Sequence, residues 1–89
     1  MIEKIVVESV EGDRLFKLVR GQVFVRGVAA RFEGVIYQSV GGPNVRAMID
    51  SGDAEKLRQH GLGAEDVEKL ELILQEKILN GEVEVGETG

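Results

Sequence analysis

Apolar residues in the first half of the chain fall in short runs separated by turn residues. Ile2, Ile5, Val6, Val7 and Val10 make a β-branched run, which Glu11-Gly12-Asp13 closes with a good hairpin sequence. Residues 15–19 follow, then 22–26, then a fourth run over 31–40 rich in Phe, Val, Ile and Tyr, with glycines at 12, 21, 27 and 34 between and within them. This spacing predicts an antiparallel meander of about four strands. Residues 13–21 carry a second reading, because Leu15, Phe16, Leu18 and Val19 also fit two turns of helix with Asp13 as cap and Gly21 as stop. Strand is the preferred reading.

Alternation within these runs is imperfect. In the fourth, Phe32, Ile36 and Val40 are expected on one face and Val35 and Tyr37 on the other; in the first, Ile2, Val6 and Val10 oppose Ile5 and Val7. An antiparallel sheet with one wet face alternates cleanly between apolar and polar residues. Both faces are therefore expected to find a cover.

The second half reads as helix. Asn44 is placed to cap a short helix over 45–51 that Gly52 stops, and Asp53 to cap another running to His60, ended by Gly61. The longest helix is expected over about 64–80, with Glu65, Asp66 and Glu68 where the helix dipole favours acids and Lys77 near the opposite end. Val83 and Val85 suit a last short strand. On the long helix Val67, Leu70, Leu74 and Ile78 form one stripe, the expected core face. Leu72 and Leu79 lie outside it, seven residues apart and nearly aligned. A helix with two apolar faces calls for two partners; the second face is covered by another segment of the chain or by a second subunit, or is simply exposed.

The predicted class is α+β: a small antiparallel sheet of three to five strands from the N-terminal half, with two or three C-terminal helices packed on one face. Residues 1–85 are expected to form a single domain and 86–89 a flexible tail. At 89 residues with no cysteine, one small core folds with limited margin and no disulfide supports it. Association is the natural supplement, so a homo-oligomer, most simply a homodimer, is expected, with Leu72, Leu79, Val35 and Tyr37 as its interface residues. No apolar run approaches the roughly 20 residues that span a bilayer, and residues 1–20 lack the basic-then-apolar order of a secretory signal, so the expected location is cytoplasmic, without membrane contact.

Charge is unevenly placed. Residues 1–46 carry seven Lys/Arg against five Asp/Glu, and residues 47–89 carry four against eleven. A chain polarised in this way can associate head to tail or present a basic surface to an anion, and a solvated acidic helical half is the preferred reading. Arg14, Lys17, Arg20, Arg26 and Arg31 offer phosphate contacts if they share a face, but overall acidity and the absence of an aromatic motif argue against nucleic acid.

The stretch Gln38-Ser39-Val40-Gly41-Gly42-Pro43-Asn44-Val45-Arg46 reads as strand, glycine pair and helix start. Such a strand-to-helix turn is a possible cradle for an anionic group of a small ligand, held by Gly41, Gly42, Asn44 and Arg46. No lysine follows the glycines and no third glycine completes a dinucleotide pattern, while Pro43 removes one N–H. A simple chain reversal explains the stretch as well.

Catalytic chemistry finds little support. His60 sits before Gly61 at an expected helix end, where it complements the dipole, and Ser39 and Ser51 have no base at motif spacing. Asp50 and Asp53 lack the remaining acids of a calcium loop and suit helix-end capping. No catalytic residue, metal site or cofactor is assigned. The function expected is a small non-enzymatic interaction or regulatory module with a possible protein partner, and the alternatives are an anion-holding ligand binder or a weak nucleic-acid binder.

Overall fold

A computed structural model describes residues 2–86. Four strands follow one another, β1 (Ile2–Gly12), β2 (Phe16–Val25), β3 (Val28–Ser39) and β4 (Gly42–Ile49); two helices, α1 (Ser51–Gln59) and α2 (Ala64–Leu79), and a two-residue strand β5 (Glu84–Val85) complete the order. The sheet runs β4-β3-β2-β1-β5, antiparallel throughout except that β5 joins β1 in parallel. The class is α+β. Residues 87–89 of the expected tail lie outside the described residues, while the Gly86 N–H donates to the Val7 carbonyl at 2.7 Å.

Local chemistry sets the turns. Asp13 Oδ1 accepts the N–H groups of Leu15 and Phe16 at 2.8 and 3.1 Å, so its side chain shapes the β1–β2 turn. Arg26 and Gly27 make the two-residue β2–β3 turn with φ of 50° and 75°, the left-handed pair that matches the twist of a hairpin. Residues from Phe16 onward are strand, and Gly21 does not interrupt them. A Cβ there would overlap the Val6 carbonyl oxygen and touch the Phe32 ring at 3.0 Å, so glycine is what lets β2 lie close to β1.

The helix expected over 45–51 is corrected: this segment is strand β4 as far as Ile49, and α1 begins at Ser51. Val45, Ala47 and Ile49 turn inward while Asn44, Arg46 and Met48 are exposed, a period of two that no helix accommodates. Pro43 is tolerated because β4 is an edge strand. It has the same parity as Ile49, whose N–H points off the sheet edge and donates to Glu71 Oε2 at 2.9 Å, so the missing donor at Pro43 costs no ladder bond. Val40, expected beside Phe32 and Ile36, instead sits fully exposed in the β3–β4 turn.

Asp50, not Asp53, caps α1, accepting the Asp53 N–H at 3.2 Å. His60 closes that helix as expected, with Nδ1 2.9 Å from the Lys56 carbonyl, and Gly61 follows at φ 93°. On α2 the buried residues are Val67, Leu70, Leu74 and Ile78, the stripe read from the sequence.

Partners across an antiparallel ladder share a face. The pairs Ile5–Val23, Val23–Ala30 and Phe32–Ile49, with Gly34–Ala47, put the buried strand residues on one face of the sheet. They join Ala54, Leu57, Leu62 and the α2 stripe in a single cluster.

Candidate interaction surface

Residues of the opposite parity form the other face. One row across it is Glu11–Leu18–Val35–Arg46, read directly from three consecutive ladder pairings. The next row holds Arg20–Glu33–Met48, and on the other side lie Phe16–Tyr37–Asn44. Leu18, Val35 and Tyr37 are half-buried by their neighbours, whereas Phe16 and Met48 keep 53% and 70% of their surface. Together they make a contiguous apolar area at one end of the face. A concavity of about 820 Å³ lies on this face, its lining including Val35, Tyr37 and Met48 beside Arg20, Arg31 and Arg46.

Its charges differ in how they are held. Arg20 Nε lies 3.3 Å from Glu33 Oε2, an exposed pair across β2 and β3. Arg31 reaches Asp53 Oδ2 at 3.0 Å and Asp50 Oδ2 at 3.5 Å, and Lys56 Nζ meets Asp53 Oδ1 at 3.3 Å. Asp53 is 3% exposed, and hydrogen bonds from the Arg31 backbone N–H and side chain hold its carboxyl down to about 2, with burial opposing and Lys56 assisting. The same contact raises the Arg31 guanidinium. Arg46 is in no ion pair among the described residues.

The residues singled out in the sequence separate into distinct places. Gly41 and Gly42 belong to a β-hairpin turn, in which Ser39 Oγ donates to the Gly42 carbonyl at 2.9 Å and Asn44 Nδ2 donates to Ser39 Oγ. The strand-to-helix turn is thus corrected to strand-to-strand, because β4 follows it, and no helix dipole stands at the glycines. Arg46 lies four residues along β4 from Gly42, about 13 Å away, on the concave face.

Val35 and Tyr37 line that face; Leu72 and Leu79, 66% and 48% exposed on α2, do not. The basic residues also disperse. Arg20 and Arg31 share the concave face, Lys17 pairs with Ile36 on the other, and Arg26 Nη1 donates to the His60 carbonyl at 3.3 Å.

Phe16, Leu18 and Met48 complete the apolar area and were not singled out by the sequence. Their signal is apolar residues at the outward parity of β2 and β4, which the helix reading of 45–51 conceals for Met48. No helix among the described residues is long and apolar enough to cross a membrane. No family model matches the chain, and no curated protein or solved structure matches it.

Proposed function

We propose that the protein is a non-enzymatic interaction module that works as a homodimer, its two helices covering one face of the sheet and the other face meeting a second copy. The observation that carries this reading is the apolar area of Phe16, Leu18, Val35, Tyr37 and Met48 outside the core. A slab 20 Å in its short dimension has room for two layers, one sheet and one set of helices, so no element among the described residues is left to cover the other face. Isolated exposed apolar side chains are ordinary, and a contiguous patch on a sheet face supports a contact surface.

Sedimentation equilibrium tests it. The native chain is expected as a dimer at micromolar concentration, and Val35→Glu, which places a charge at the centre of the face without entering the core, is expected as a folded monomer. A native monomer at 100 μM, or an undisturbed Val35→Glu dimer, overturns the reading. Arg46 supports a second reading, since a guanidinium outside every ion pair among the described residues and lining a concavity suits a small anionic ligand. A thermal shift with nucleotides or phosphorylated metabolites that disappears in Arg46→Ala favours that alternative.

A further inference from the structure

We infer that the two copies meet about a two-fold axis running parallel to the strands, between β2 and β3, so that Arg46 of each copy faces Glu11 of the partner subunit. This rests on the homodimer reading above and specifies its geometry. The row Glu11–Leu18–Val35–Arg46 reads acid, apolar, apolar, base across the sheet. Reversed by such an axis and laid on itself, it puts base over acid at both edges and apolar residues over each other in the middle. The adjoining row behaves the same way. Arg20 on β2 falls over Glu33 of the partner subunit and Glu33 over the partner's Arg20, turning two exposed pairs into a four-membered network. Phe16 then falls over the partner's Tyr37.

The main competing geometry, an axis lying across the strands through the Arg20–Glu33 row, sets each strand over its own copy. It stacks Arg20 on Arg20 and Glu33 on Glu33, like charges in a desolvated seam, which is costly. The charge pattern therefore selects the first axis. It also gives a partner to Arg46, which has no ion pair among the described residues. An interface of this kind is isologous and closes at two copies.

Its size lies at the threshold for a specific interface. β2 and β3 share ten rows of the ladder and β1 and β4 both stand in five of them, which at about 4.8 Å by 3.3 Å per residue presents roughly 475 Å² per copy. Two copies then cover about 950 Å², close to the roughly 1,000 Å² expected of a specific interface. The facing sheets lie about 10 Å apart, a gap that an arginine and a glutamate side chain together span.

Mixing two single charge reversals tests the axis. Arg46→Glu and Glu11→Arg each alter an exposed side chain outside every intrachain ion pair among the described residues, so both are expected to keep the native circular dichroism spectrum. Each alone sets like charges together and is expected to weaken dimerisation at least tenfold. In a one-to-one mixture the heterodimer carries one reversed and one native pair, both complementary, and its dissociation constant is expected within about threefold of native. A mixture no tighter than either variant overturns this axis while leaving the homodimer intact. A native chain that is monomeric overturns both.

Discussion

The Asp53 carboxylate takes the place on β3 that β4 gives up: its Oδ2 accepts the Arg31 backbone N–H at 2.8 Å and Arg31 Nε at 3.0 Å. β4 ends at Ile49, opposite Phe32, and the Asp50 N–H still donates to the Arg31 carbonyl at 2.9 Å before the chain turns into α1. The first turn of α1 then returns a side chain to the N–H of that same residue. Sheet and helix are joined by a charge-assisted bond that sequence spacing alone does not disclose.

Acid should therefore weaken the fold through Asp53. Its native carboxyl titrates near 2, below the ordinary value of 3.8, so the unfolded chain takes up the proton first. The contribution, about 2 kcal/mol by linkage, is complete above about pH 5 and is lost as pH falls from about 4 to about 2. Asp53→Asn is expected to lower unfolding free energy by about 2 kcal/mol at pH 7, with the deficit closing toward pH 2. Urea titrations of both proteins across that range measure it, and a deficit independent of pH would contradict the ionic role.

Three glycines should respond differently to alanine. At Gly21 the added methyl meets the Val6 carbonyl, and a loss of about 3 kcal/mol is expected; at Gly34 its neighbours stand at 3.5 Å and beyond, ordinary contact, and the change should stay within about 1 kcal/mol. At Gly41 nothing lies within 4 Å. Thermal unfolding should rank Gly21→Ala far below the other two.

The two leucine classes on α2 should also separate. Leu74→Ala empties a fully buried site and is expected to cost about 2–5 kcal/mol, whereas Leu72→Glu and Leu79→Glu should change stability by less than about 0.5 kcal/mol and leave the dimer intact. Denaturant melts check the first difference and sedimentation the second. Dissociation by Leu72→Glu would move the interface from the sheet to the helix.

Much of this architecture was legible because periodicity reports burial. The stripe Val67, Leu70, Leu74 and Ile78 and the opposed faces of Phe32 and Val35 follow from side-chain geometry alone. β4 is hidden because Gly-Gly-Pro-Asn resembles a helix entry and the outward Met48 breaks the apolar–polar alternation, leaving only Val45, Ala47 and Ile49 at a period of two. A helix dipole at the glycines fell with that reading. The row joining Glu11 to Arg46 was out of reach, since it depends on register, and the β1 register shifts between Val7 and Ser9. Asp53 was likewise hidden: an acid near a helix start reads as a cap until its long-range partner is known.

The most direct measurement of the sheet-face homodimer is solvent paramagnetic relaxation of side-chain methyls as a function of protein concentration. Met48 and Leu72 are about equally exposed in the single chain, at 70% and 66%, and Met48 shares its residue type only with Met1, so selective labelling resolves it. Face-to-face pairing predicts that relaxation of the Met48 and Val35 methyls falls as concentration rises through the dimerisation range while that of Leu72 and Leu79 stays constant. Met48 relaxation that does not change with concentration, or protection confined to Leu72 and Leu79, would contradict it.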